Sequence, residues 1–260
     1  MRTSRLLTVA IAALALACLA TSAGAETEKV TLQAGFAPDR AGESTTISFG
    51  FHIQTTEGLA PPPLAGIDLH MPAGIDYTAT TLGLAICKPA ALQAKGLAGC
   101  PANSRLGFGT AFVEVPFGVG AGHEFPEIQA LMGPPHNGNE VVLFYANGET
   151  PVLAQLVFEG EVLPDTGAFG SQLKLAVPAI SSVPEGPDVS IVNVRSTIGP
   201  SGLIYYRHSH GRKIAYHPRG VSVPEHCPRH GFPFLGQFVF QDGTRASAST
   251  TVPCPAPRRH

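Results

Sequence analysis

The chain has no tryptophan, three methionines and only 14% charged residues. Helix-period apolar stripes are nearly absent outside the first 25 residues and the stretch 87–100, which argues against a helical bundle. No second long apolar run follows the N-terminal one, so no transmembrane segment is expected after that one is removed. The catalytic signatures are also missing. There is no Gly-x-Ser-x-Gly elbow, no His-Glu-x-x-His helix and no phosphate-cradling glycine loop ending in Lys-Ser/Thr. No recognisable catalytic apparatus and no cofactor are therefore expected.

What is present starts with a leader. Arg2 and Arg5 precede the apolar run Leu6 to Ala20, and Ala23-Gly24-Ala25 offers a small-residue cleavage site before Glu26-Thr27-Glu28. This pattern predicts a signal peptide over 1–25 and a mature region over 26–260 that is secreted or cell-envelope associated. Cys18 lies inside the apolar run and would leave with it. Loss of Arg2 and Arg5 leaves 15 of the 17 basic residues against 19 acidic ones. An exported chain with that balance is not expected to bind nucleic acid.

The charge is divided along the chain. Residues 26–199 hold 7 basic and 17 acidic side chains, and residues 201–260 hold 8 and 2. Such a dipole would steer an acidic partner toward the C-terminal part. Neutralisation of the two parts across an internal contact is the equal alternative.

Glycine and proline, 29 and 24 residues, punctuate short stretches of apolar-polar alternation that are too regular for disorder. Thr46-Ile47-Ser48-Phe49-Gly50-Phe51-His52-Ile53 is the cleanest. Candidate strands are Val30–Phe36, Thr45–Gln54, Ala65–Met71, Arg105–Val115, Glu127–Met132, Glu140–Tyr145, Val152–Val162, Phe169–Val177, Val189–Thr197, Leu203–His208 and Lys213–His217, then a terminal hairpin across Asp242-Gly243. The pattern predicts an all-β, antiparallel, β-sandwich-like fold with one short helix inside a disulfide loop. The region is one large domain, or two with a candidate boundary in the glycine-rich break near 117–126.

Cys87, Cys100, Cys227 and Cys254 remain in the mature chain. An even number in an exported chain predicts disulfides. Three pairings exist. Pro89 to Gly96 reads as a short helix between the first two cysteines, and the terminal hairpin lies between the last two. Those features favour Cys87–Cys100 and Cys227–Cys254.

Several motifs carry candidate chemistry. Leu163-Pro164-Asp165-Thr166-Gly167 matches the LPxTG sorting pattern, yet nearly a hundred residues follow it and the same letters make a good hairpin turn. Five histidines fall within 208–230, among them a His-x-His. On a strand, His208 and His210 would share a face, and with His217 they could hold a metal ion. Against this, Ser209 to Gly211 reads as a turn. The flanking Arg207, Arg212, Lys213 and Arg219 suit anion contact, to an anionic cell-envelope polymer or to another envelope protein. Glu127 and Glu159 stand as a candidate carboxylate pair for a hydrolase of unfamiliar type.

Two segments carry a resemblance. LHMPAGIDYTATTLGLAICKPAALQAKGLAGCPANSRLGFGTA (69–111) and EHCPRHGFPFLGQFVFQDGTRASASTTVPCPAP (225–257) together resemble a group of exported actinobacterial proteins of unknown function. Cys100, Pro101, Ser104 and Gly107 match its Cys-Pro-x-x-Ser segment and glycine-rich strand, and Asp242-Gly243-Thr244 matches its second cysteine-closed hairpin. Met71 departs from the pattern before Pro72. The resemblance implies export and the two local disulfides, and no activity, cofactor or ligand. The expected function is an exported cell-envelope structural or binding protein, with a histidine metal module and a hydrolase as alternatives.

Overall fold

The computed structural model describes residues 28–55, 60–75, 82–117, 120–151 and 153–255. The expected leader over 1–25, with Cys18, lies outside the described residues. Strands β1 (Glu28–Ala37), β2 (Ser44–Thr55) and β3 (Leu64–Pro72) precede a helix, α1 (Pro89–Lys95). Strands β4 (Arg105–Phe117), β5 (Gly120–Glu124), β6 (Glu127–Met132), β7 (Glu140–Gly148) and β8 (Ala154–Pro164) follow. The rest are β9 (Phe169–Ala176), β10 (Ser190–Ile198), β11 (Tyr205–Ser209), β12 (Arg212–Tyr216), β13 (Val221–Ser222), β14 (Phe232–Phe240) and β15 (Arg245–Val252).

Alternation becomes architecture in β2 and β14. Ile47, Phe51 and Ile53 are buried while Ser48 and Gln54 are exposed. Phe232, Phe234, Phe238 and Phe240 are each at most 1% exposed, one residue in two along the strand. A period of two puts these rings on one face, which must be covered. The cover is the sheet itself. Its order is β1-β2-β10-β4-β6-β7-β8-β9-β3-β14-β15, with β13 on β2 and β5 on β4, 13 strands in all. Every adjacent pair is antiparallel. The two ends of the order, β1 and β15, lie side by side. The sheet therefore curls into a near-barrel, and its facing layers are halves of one hydrogen-bonded surface. Ring packing seals the seam: Phe36 meets Phe232 at 5.4 Å and Phe234 at 6.3 Å between centroids, and Phe51 meets Phe238 at 5.1 Å.

Curling brings some backbones very close. A Cβ at Gly107 would collide with the carbonyl of Thr197 on the neighbouring strand, so β4 and β10 meet at a position only glycine can fill. The glycine-rich break near 117–126 is not bare loop. It contains β5, folded back on β4 in register Val115↔Gly122, with residues 118 and 119 outside the described set. The continuous sheet takes strands from both sides of this break.

The Leu163–Gly167 motif ends β8 and turns into β9, with the Asp165 N–H donating to Gly170 O at 3.1 Å and Gly167 at φ 74°. As a turn inside the sheet it has a structural use.

Both expected disulfides form, Cys87–Cys100 and Cys227–Cys254. The first closes over α1, which has proline in its first turn and stops at Gly96 with φ 56°. Leu92 of α1 is fully buried against the outer wall with Leu131 and Leu143. The Cys87 N–H donates to Met132 O at 2.8 Å, tying the loop to the end of β6. The second disulfide joins residues 27 apart around the β14–β15 hairpin. Loop-closure entropy values a staple of that span at about 3 to 4 kcal/mol. Replacing Cys227 and Cys254 with Ser is expected to lower the melting temperature by several degrees without creating a redox activity. An unchanged melt of the oxidised protein would contradict it.

Candidate functional site

The inward face of the sheet does not fill the space it encloses. A cavity of about 220 Å³ remains, walled by β2, β3, β4, β6, β7, β8, β9, β10 and β14. The reason lies in the side chains at inward positions. Ala111, Ala130 and Ala146 stand where larger residues would meet. The walls are otherwise Ile, Leu, Val, Phe, Met and Pro, with Ser196 and Thr197 the hydroxyl-bearing side chains. Both hydroxyls are already occupied: Ser196 Oγ donates to Phe49 O and Thr197 Oγ1 to Phe108 O, each at 3.3 Å. The wall thus offers water almost nothing to bind, and a cavity of this size lined by apolar groups stays dry or takes an apolar guest.

The chain that leads into the β11–β12 hairpin packs on part of the cavity wall. Leu203 and Tyr205, 3% and 0% exposed, pack against Leu106, Ala130 and Val142, all of which also line the cavity. The Tyr205 hydroxyl donates to Arg105 O and accepts from the Gly83 N–H at 2.9 Å. Burial pushes this phenol up to about 12, partly offset by the Gly83 N–H. Asn103 fixes the next residue, accepting from the Tyr206 N–H and donating to Tyr206 O, each at 2.8 Å.

Beyond this root the hairpin is exposed. Its ladder pairs Tyr205↔Tyr216, Arg207↔Ile214 and His208↔Lys213, and His210 and Gly211 form the turn at φ 49° and 75°. Two positive φ values are those of a type I′ turn, which suits the twist of a two-residue hairpin. Lys213 Nζ sits 4.0 Å from the Tyr206 ring centroid and the Arg207 guanidinium 5.9 Å from that of Tyr216. Arg207, Arg212 and Lys213 are thus gathered on one exposed two-stranded ribbon. Arg219 is exposed further along the chain, before β13.

The metal expectation finds no support in this geometry. The strand ends at Ser209, so His210 is on the turn rather than on a shared face with His208, and its Nδ1 lies 3.1 Å from Ser209 Oγ. His217 Nδ1 donates to Leu203 O at 2.9 Å. Among the described residues, no three His, Cys, Asp or Glu side chains are placed to hold one ion. The Glu127–Glu159 pair is not brought together either. Glu127 lines a surface depression with Tyr145, and Glu159 a different one with Lys174 and Arg245.

A second histidine arrangement was not expected. His70 Nδ1 lies 2.6 Å from Asp165 Oδ2, and the imidazole packs on Phe169 at 5.3 Å. The His70 hydrogen bond, helped by the Thr166 N–H, holds the Asp165 carboxyl below its ordinary value of 3.8. The other ring nitrogen, Nε2, is buried with no hydrogen-bond partner among the described residues, so none of them is a nucleophile attached to it. The pair fastens the β8–β9 turn to β3. Comparison with protein-family models, with curated proteins and with solved structures finds no match to this chain.

Two outcomes follow from these contacts. A carboxyl whose pKa is depressed on folding stabilises the fold above its unfolded value, and that stability is lost as pH falls below 3.8 through the folded value. Asp165→Asn is therefore expected to flatten the acid limb of a stability-against-pH profile; an unaltered limb would contradict the linkage. Tyr205→Phe leaves the Gly83 N–H unpaired and is expected to cost roughly 1 to 3 kcal/mol in denaturant unfolding. Because folding raises this phenol's pKa, its share of the stability is present below pH 10 and falls away as pH rises toward about 12.

Proposed function

We propose that this chain is an exported binding protein that holds an apolar molecule inside its curled sheet. The observation that carries the reading is the apolar cavity inside the curled sheet. At roughly 24 cal/mol per Å³, an empty space of this size would cost about 5 kcal/mol relative to a filled interior. Small domains have a total stability of only about 5 to 15 kcal/mol. A fold that keeps such a space gains from a guest that fills it. Export is supported by the leader at 1–25 and by two disulfides, which persist in oxidising compartments. No helix of the described residues is long and apolar enough to cross a membrane. The resemblance to exported actinobacterial proteins agrees with an extracytoplasmic site.

A second reading is contact with an anionic envelope component or another envelope protein, favoured by Arg207, Arg212 and Lys213 on the exposed hairpin. The two readings use different parts of the molecule and are compatible.

Titration with a polarity-sensitive fluorescent fatty acid tests the cavity reading. The probe is expected to bind and brighten. Ala146→Phe, which places a ring in the cavity, is expected to weaken binding by roughly tenfold or more, a change of about 1.4 kcal/mol. Loss of probe binding with an unchanged melt supports the cavity, whereas equal binding by both proteins would place the probe elsewhere.

A further inference from the structure

We propose that the β11–β12 hairpin and the segment beside it form a docking surface for an anionic lipid bilayer. The inference goes beyond the cavity reading and rests on a separate set of observations.

The first is charge. Between Asp188 and Glu225 the chain has no acidic residue, and Arg207, Arg212, Lys213 and Arg219 fall in that interval. Arg207, Arg212 and Lys213 are exposed, and among the described residues none of the three makes an ion pair. Arg207 and Lys213 lie over the Tyr216 and Tyr206 rings rather than against carboxylates, so the positive field is not neutralised locally.

The second is exposed apolar surface at the same place. Ile204 and Ile214, at the root and on the second strand of the hairpin, are 51% and 39% exposed. Leu84 and Ile86 are 59% and 44% exposed. Their segment is bound to the hairpin root, by Gly83 N–H to the Tyr205 hydroxyl and by Ala85 N–H to Asn103 O, whose side chain in turn holds Tyr206. Lys88 is exposed at the end of this segment. Large aliphatic side chains among lysine and arginine, with tyrosine at the boundary, make a surface that inserts shallowly between lipid headgroups while its cations meet anionic ones. A soluble polyanion would satisfy the cations and gain nothing from the isoleucines.

The opposite end of the molecule shows the contrast. Phe125 and Leu153 are exposed there too, but Phe125 packs on Phe112 at 5.1 Å. The charges near it are Glu114, Glu124, Glu127 and Glu149, with Lys95 beside Glu127, a net negative set that an anionic surface would repel. Charge complementarity thus selects the hairpin end. That end is also the one where Leu203 and Tyr205 pack on Leu106, Ala130 and Val142 of the cavity wall.

The test is flotation of the oxidised mature chain with vesicles of phosphatidylcholine alone or mixed with phosphatidylglycerol. Binding to the mixed vesicles and not to phosphatidylcholine is expected. The triple variant Arg207→Gln, Arg212→Gln, Lys213→Gln is expected to lose roughly a hundredfold in vesicle affinity, since each basic residue near an anionic surface is worth about fivefold. Ile204→Ser with Ile214→Ser is expected to weaken vesicle binding while leaving binding to soluble polyphosphate unchanged. Three results would overturn the proposal: no flotation of the wild-type chain, flotation unaffected by the triple variant, or an isoleucine variant that binds vesicles as the wild type does. The last, with tight polyphosphate binding, would assign the hairpin to a soluble anionic polymer. The fluorescent fatty acid is expected to bind all these variants equally, so a failed docking surface and a failed cavity give different results.

Discussion

Antiparallel ladders run without interruption from β1 around to β15, and each fixes which side chains of its strand point inward. Once the sheet has curled until β1 and β15 lie together, alternate residues of strands such as β2 and β14 face the interior. The volume of that space is set by the ladders and by the close passage of β4 and β10 at Gly107. The inward side chains must fill it or leave a void. On the β1, β2, β14 and β15 side they fill it with phenylalanine. Toward β4, β6 and β7, alanines stand at inward positions, and there the cavity remains.

The rest of the molecule can be understood as fastening for this curled sheet. The Cys87–Cys100 loop and α1 pad the outer wall over β6, β7 and β8. The His70–Asp165 pair holds the β8–β9 turn against β3. Tyr205 binds two backbone groups from different segments and packs on residues of the cavity wall. Its hydroxyl serves as a structural bolt, and the raised pKa keeps it neutral and able to donate. The same short stretch then continues into a hairpin that is wholly different in character, cationic and exposed. An apolar interior and a basic outer edge thus meet at one end of the protein.

Much of this was legible in the sequence because period-two alternation is a local signal. The strand from Thr46 to Ile53 could be read directly. So could the helix between Cys87 and Cys100, since Pro89 and Gly96 punctuate it, and the hairpin across Asp242-Gly243 that supports the second cysteine pairing. The turn at His210-Gly211 was readable too, and it was enough to weaken the shared-face geometry that a metal site needs. Other features were not readable. β5 was hidden because its five residues, Gly-Ala-Gly-His-Glu, have neither alternation nor β-branched side chains; pairing with β4 alone makes them a strand. The His70–Asp165 contact joins residues 95 apart and follows from strand order, which alternation does not specify. The cavity was hidden for a similar reason. Alternation shows that Ala130 and Ala146 face inward, but only the assembled sheet shows that nothing opposite them is large enough to reach across.

The central claim is that the interior holds an apolar guest. The most direct measurement is extraction of the natively exported, untagged protein with organic solvent, followed by mass spectrometry of the extract, in parallel with Ala146→Phe. The account predicts an apolar compound in near-stoichiometric amount from the wild-type protein and little or none from the variant. Extracts empty of apolar compounds from both, for protein that also fails to bind an added fatty acid, would contradict it.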